Sequence, residues 1–357
     1  MINSKSILPA FGENNVPIVF STDEAFVPVL SVMLQSIIDN SSCNNNYDII
    51  ILSKDMNDDY KGRILLMIDG YDNFSIRIIN VAEYLVGYNF YTENRKTITA
   101  ETYFRLLMPE LMNAYSKAIY LDGDMIANVD IAELYNIDIS NYLIAASRDC
   151  DSIGRYNIPD KDIKEYRDTV LKLKYPNDYF CAGVLLMNLD MFREDFKEIN
   201  LLEFATSYQW RQHDQDILNV LCNEKVLLLS AAWDLLRDAG NNKYMPGDYY
   251  YDFLEAEKHP KIVHFGGMRK PWIYFDVERG EYFWKYAGKT PFYKQILSMV
   301  RDANFQRYSP WVPNTNTSSA VDPTSYKDEV AEQFKAGQIG FTYILKYIKA
   351  WVKYKLK

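Results

Sequence analysis

Histidine and cysteine are scarce in this 357-residue chain, at three and four residues. Cys43, Cys150, Cys181 and Cys222 lie far apart and form no Cys-x-x-Cys pair, the pattern of isolated buried thiols in a reducing cytosol. Excess basic charge is also missing: 39 Lys and Arg face 48 Asp and Glu, for a net charge of −9. Phosphate backbones are bound by basic surfaces, so no nucleic-acid partner is expected. No uninterrupted apolar stretch approaches the ~20 residues of a membrane span. Met1 leads into the polar Asn3-Ser4-Lys5-Ser6 with no apolar run behind it, so no signal peptide is read and the expected location is cytoplasmic. No Gly-x-Gly-x-x-Gly follows the first apolar strand and no Gly-Lys-Ser/Thr is present, which excludes a nicotinamide dehydrogenase and a P-loop enzyme.

What is present is ample apolar material, 48% hydrophobic and 15% aromatic, enough for a real core in one large α/β domain or two ordinary ones. Strands are predicted at Ile18–Phe20, Ile49–Leu52, Ile76–Ile79, Ala118–Leu121, Leu143–Ala146, Val184–Met187, Val226–Leu229 and Ile262–His264. Helices are predicted over Pro28–Asn40, Asp58–Ile68, Thr102–Met108 and Asp214–Leu221. Strands separated by helical segments indicate a mostly parallel sheet with crossover helices. The first run, Val16 to Asp23, ends in small and acidic residues and feeds a helix, where a nucleotide docks in a doubly wound sheet. Ser309 to Ser325 is rich in Pro, Asn, Thr and Ser and reads as a linker. The expected organisation is a catalytic domain over 1–300, a linker over 301–327 and a basic helical tail over 328–357.

The run Ala118 to Asp124 delivers two carboxylates, Asp122 and Asp124, one residue apart at a strand's end. Alternate side chains of a strand share a face, so both can point one way and hold a divalent cation. The spacing recurs at Asp149/Asp151, Asp160/Asp162 and Asp214/Asp216, and what sets Asp122/Asp124 apart is the buried-looking strand that runs directly into it. The same triplet also admits a haloacid-dehalogenase-type phosphotransferase, with Asp122 as nucleophile and Asp124 as acid/base. That class expects Thr or Val two residues on, where this chain has Met125-Ile126. A nonenzymatic nucleotide-sugar-binding scaffold is the third reading.

Six stretches, in order over residues 16 to 275, together resemble the bacterial retaining glycosyltransferases of family 8, the lipopolysaccharide galactosyl- and glucosyltransferase type. They are Ile18 to Asp23, Thr102 to Leu106, Ile119 to Asp124, Phe180 to Leu189, Asp214 to Asn219 and His264 to Trp272. The resemblance implies a GT-A fold and transfer of a hexose, glucose or galactose, from a UDP-sugar to a hydroxyl of a cell-surface glycan or lipid-linked saccharide. It also implies a Mn²⁺-type cofactor bound by Asp122, Asp124 and His264. A site containing imidazole favours Mn²⁺ over Mg²⁺, which remains the alternative. Lys270, six residues past His264, can supply a point charge to the diphosphate, and Gly267 close backbone approach.

By the same resemblance Ser21, Asp23, Arg105 and Gly123 meet the donor, Asp149 and Asp214 accept from sugar hydroxyls, and Gln215 lies beside the anomeric carbon. Read without it, Asp23 is a helix cap, Arg105 a surface charge, His264 a core histidine and Asp214 and Asp216 caps of the helix after them. Two departures stand out: Cys181 occupies a position where the family usually has Asn, and Glu24-Ala25-Phe26 follows Asp23 where Asp-Asn-Tyr is common.

After Glu332 the chain has no acidic residue and six lysines. At ~100° per residue, Ile344, Tyr347, Ile348, Trp351 and Val352 gather on one side of a helix, opposite Lys346, Lys349, Lys353 and Lys357. Such a helix lies in a membrane interface, and each lysine adds ~1 kcal/mol near anionic lipid. The tail is therefore expected to hold the protein peripherally on the inner face of the plasma membrane. Salt-sensitive binding to anionic vesicles should be lost when the chain stops near Val330; equal binding by the full and shortened chains would assign the tail to the core instead.

Overall fold

A computed structural model describes residues 6–92, 99–158, 161–237, 240–274 and 276–308. Seven strands form the central sheet: β1 (Asn15–Ser21), β2 (Asn46–Ser53), β3 (Phe74–Asn80), β4 (Lys117–Leu121), β6 (Ile144–Ser147), β7 (Val184–Asn188) and β8 (Val226–Leu229). Their order is β3-β2-β1-β4-β7-β6-β8. Every neighbouring pair is parallel except β4–β7 and β7–β6, so β7 is the one strand that runs backwards.

Near-continuous apolar strands follow from burial on both faces. Successive side chains alternate across the sheet, and the two cores divide accordingly. Ile18, Phe20, Ile49 and Ile51 face one core, Val19, Ile50 and Leu52 the other. The helix Val27–Asp39 carries Pro28 in its first turn and is buried along most of its length. Among the described residues no helix is long and apolar enough to cross a membrane.

A second, three-stranded sheet, β5 (Met125–Ala127), β10 (Ile262–His264) and β9 (Leu235–Leu236), adjoins the first. Sequence reading anticipates β10 as a strand and misses β5 and β9, which are too short to show a period. Thr102–Met108 adopts mostly a tight 3₁₀ form, Ala100–Leu107, continuing as a short α-helix at Met108–Leu111. Residues 301–308, read as the start of the linker, belong to the helix Tyr293–Tyr308. The rest of the linker and the whole tail lie outside the described residues. Cys150, Cys181 and Cys222 are buried thiols as expected, whereas Cys43 is exposed.

The two sheets meet at one turn. β4 ends at Leu121 and β5 begins at Met125, so Asp122-Gly123-Asp124 is the link between them. The Asp122 N–H donates to the Gly183 carbonyl at the head of β7 (2.9 Å), and the Phe265 N–H beyond β10 donates to the Asp124 carbonyl (2.9 Å). Asp122 and Asp124 thus face one site through a turn pinned at both ends, not through strand alternation. A Cβ on Gly183 would stand 2.6 Å from both His264 Cε1 and Met125 Cε. Gly183→Ala should therefore lower stability by about 1–3 kcal/mol as the junction is forced apart. Urea denaturation measures this, and wild-type stability would show that the junction has slack.

Candidate active site

The turn between the sheets gathers most of the residues singled out from the sequence. Asp124 Oδ2 accepts from Lys270 Nζ at 2.5 Å, and its Oδ1 lies 3.4 Å from His264 Nε2. On the other edge of the ring, His264 Nδ1 is 2.7 Å from Asp234 Oδ1. Asp234 is only 1% exposed, so its carboxylate is committed to that imidazole. Burial works against a charge on His264, but Asp234 and Asp124 together hold its pKa well above the usual value. Asp124 is likewise penalised by burial, yet Lys270 and His264 bring its carboxyl below the ordinary range.

Asp122 is held from the other side by Arg105, whose Nη2 donates to Asp122 Oδ1 at 2.8 Å. Arg105 is 2% exposed, far from the surface charge that the sequence alone allows. Its Nε lies 2.9 Å from Asp214 Oδ2, its Nη1 donates to the Ala182 carbonyl, and its guanidinium stacks 4.0 Å above the Tyr120 ring. Burial opposes its charge, while Asp122 and Asp214 more than restore it. The Thr102 hydroxyl donates to the second oxygen of Asp214. Burial raises the pKa of Asp214, and Arg105 opposes that rise.

Gln215 is fixed at both ends of its amide. Oε1 accepts from the Ala182 N–H (3.1 Å) and Nε2 donates to Asp149 Oδ2 (2.8 Å), which assigns the amide's orientation from its partners. The other oxygen of Asp149 accepts the Ser152 N–H (2.9 Å) and so caps the helix Cys150–Asn157. Asp122, Arg105, Asp214, Asp149 and Gln215 thus form one network through Ala182, adjoining the group of Asp124, Lys270 and His264.

Four sequence-picked positions stand apart from that network. Ser21 closes β1, and Asp23 caps the turn Glu24–Phe26 by accepting the Phe26 N–H at 2.8 Å. Gly267 adopts φ +76°, a left-handed conformation that suits glycine. Asp216 is neither ligand nor helix cap: its carboxylate accepts from Tyr166, Tyr179 and the Gln212 N–H at 2.7–2.8 Å. Asp234 is the residue that sequence reasoning missed. A lone acid in the apolar run Ala231-Ala232-Trp233-Asp234-Leu235-Leu236 was its one signal.

Donor atoms of Asp122, Asp124 and His264 all lie within 4.8 Å of one another. Two hard oxygens and an imidazole backed by a buried carboxylate suit a divalent cation, since the acid behind the ring sets its tautomer and orientation. Cys181 Sγ sits 3.9 Å from His264 Nδ1, on the Asp234 edge of the ring, away from the edge that faces Asp124. The residues present fit the ion.

The model of glycosyl transferase family 8 matches residues 17–276. The chain belongs to this family. It is 26% identical to glycosyltransferase GlyB of Streptococcus pneumoniae over 76% of this chain and 61% of that protein. It is also 26% identical to general stress protein A of Bacillus subtilis over 49% of this chain and 60% of that one. Among solved structures, the apo form of the bifunctional glycosyltransferase WbbM superimposes with a TM-score of 0.73 at 26% identity, over 83% of this chain and 53% of that one. The galactosyltransferase LgtC, solved with donor and acceptor sugar analogues, gives 0.62 at 22% identity, over 77% and 96%. The chain spans about three fifths of the length of the curated relatives it matches. The fold is of the GT-A type, with a mostly parallel seven-stranded sheet flanked by helices.

Asp234→Asn keeps the shape of the group behind His264 and removes its charge. Mn²⁺ affinity, read by titration calorimetry, should fall about 10–100-fold. Unchanged affinity would mean that His264 is not a ligand.

Proposed function

We propose that the chain is a retaining hexosyltransferase, moving glucose or galactose from a UDP-sugar to a hydroxyl of a cell-surface glycan or lipid-linked saccharide. The carrying observation is the convergence of Asp122, Asp124 and His264 within 4.8 Å at the turn that joins the two sheets. Family membership supports the reaction class, and the turn lies beyond the carboxyl end of β4, where open α/β sheets take ligands. Nothing favours the phosphotransferase or scaffold readings over this one.

In this reading Asp122, Asp124 and His264 hold Mn²⁺, or Mg²⁺, which when bound offsets the charge building on the departing diphosphate. Lys270 adds a point charge beside the same phosphates, and the Gly267 turn brings backbone close to them. Ser21 and Asp23 meet the nucleoside at the end of β1. Asp149 and Asp214 accept hydrogen bonds from donor-sugar hydroxyls, and Cys181 replaces one contact by which the sugar is chosen.

Gln215 lies beside the anomeric carbon. Its amide oxygen already accepts the Ala182 N–H, which draws electron density from an already weak nucleophile. Same-face displacement therefore suits this site, with the leaving phosphate taking the acceptor's proton. Asp149, a nearby carboxylate that could form a short-lived covalent intermediate, is engaged by Ser152 and Gln215.

The test is Mn²⁺-dependent hydrolysis and transfer from a panel of UDP-sugars. Asp122→Asn or Asp124→Asn should cost on the order of 10²-fold or more in turnover. Early product from an α-linked donor should show an α-anomeric proton doublet. Near wild-type turnover by either variant with the metal chelated would overturn the ion site, and a β doublet would overturn retention.

A further inference from the structure

Beside the network lies a cavity of about 780 Å³ that none of the roles above uses. Two of its lining residues are bonded directly to the site: the Ser152 N–H donates to Asp149, and the Gln212 carbonyl accepts the Gln215 N–H at 3.0 Å. The cavity is thus one hydrogen bond removed from Asp149 and Gln215, which the reading above places against the transferred sugar.

Among the described residues, the charges on its wall do not balance. Arg155, Arg167 and Arg211 line it, together with Asp162 and Asp216. Arg211 is paired with Asp162 by two bonds, at 2.8 and 3.1 Å. Asp216 is supplied by three donors from Tyr166, Tyr179 and Gln212. Arg167 is left over. It is 4% exposed, stacks 3.9 Å from the Tyr179 ring centre, and makes no side-chain hydrogen bond or ion pair among the described residues. Its Nη1 is fully buried without a partner. Arg155, half-buried nearby, forms no ion pair among the described residues either.

A guanidinium taken out of water without an anion is costly, and a ring face only partly compensates. The planar fork matches the two oxygens of a carboxylate or the oxygens of a phosphate. We propose that this cavity seats the acceptor, and that the acceptor carries an anionic group, a carboxylate or a phosphate, that pairs with Arg167. Tyr208 on the same wall, 45% exposed, offers a flat apolar face of the kind a sugar ring stacks on. The inference rests on the glycosyl-transfer reading, and it adds to that reading the chemical class of the acceptor.

The test compares matched acceptors, methyl α-glucuronide and glucose 6-phosphate against methyl α-glucoside, with the full chain, Mn²⁺ and the best UDP-sugar. Wild type should favour at least one anionic acceptor by 10-fold or more in kcat/KM, and which one wins tells carboxylate from phosphate. Arg167→Met should collapse that preference towards unity. Damage to the fold would lower all acceptors together and leave the ratio standing, and that outcome overturns the proposal, as does a wild type with no anionic preference. Should Arg167→Met fail to fold, Arg155→Gln at the same wall is expected to reduce the ratio severalfold, and an unchanged ratio overturns the proposal equally. Melting temperature with added glucuronate or inorganic phosphate gives a readout free of turnover: either anion should raise it in wild type and not in Arg167→Met. If no UDP-sugar is turned over, the transfer reading fails, while the melting shift still decides whether the cavity takes an anion; no shift with either anion overturns the site.

Discussion

Arg105 is the charge on which the site depends. It is buried, and it is tolerated there because Asp122 and Asp214 flank it while the Ala182 carbonyl and the Tyr120 ring take up the rest of the guanidinium. Such an arrangement is strong only when complete: removing one partner of a buried pair costs about 3–5 kcal/mol, because the other charge stays behind. The same cation therefore does two jobs. It fixes Asp122, the first of the paired carboxylates, and through Asp214 it sets the start of the helix that carries Gln215.

The reversed strand β7 supplies the frame for this. Its pairing with β4 brings Leu121 opposite Val184, which leaves the segment just before β7 alongside the turn of Asp122. Ala182 then gives its N–H to Gln215 and its carbonyl to Arg105, while Gly183 gives its carbonyl to the Asp122 N–H. Three backbone groups in two residues thus tie together elements that are far apart in the chain. A parallel strand in that place would run the other way and present this segment at the far edge of the sheet.

Much of this was legible in the sequence, and the reasons are local. β1, β2, β4 and β7 are continuous apolar runs bounded by polar turns, so their existence and their burial on two faces could be read, whereas the reversed direction of β7 leaves no mark in its own residues. Asp122, Asp124 and His264 could be picked out because acids and a rare imidazole sit at the ends of such runs. Asp234 could not, because its role comes only from a distance to His264 thirty residues on, and no period records it. Arg105 was legible as a residue and not as an environment: a charged side chain on a helical segment reads as solvated until the carboxylates that bury it are seen in three dimensions. Arg167 carried no signal in the sequence, and only its burial against the Tyr179 ring singles it out.

The charges at the junction of the sheets carry one more consequence. Asp122, Asp124, Asp214 and Asp234 set four carboxylates against two permanent cations, Arg105 and Lys270, and one imidazole. With the imidazole neutral, as a metal ligand must be, that set is net negative and repels a diphosphate. A divalent cation cancels the excess, so in the proposed reading donor and ion each improve the site for the other. Without an ion, Asp234 and Asp124 pull the pKa of His264 well above its usual value, which favours a ring that carries part of that charge itself. In the proposed reading the buried carboxylate behind the ring suits both forms: it favours the imidazolium when no ion is bound and, through Nδ1, would aim the neutral ring at a bound ion.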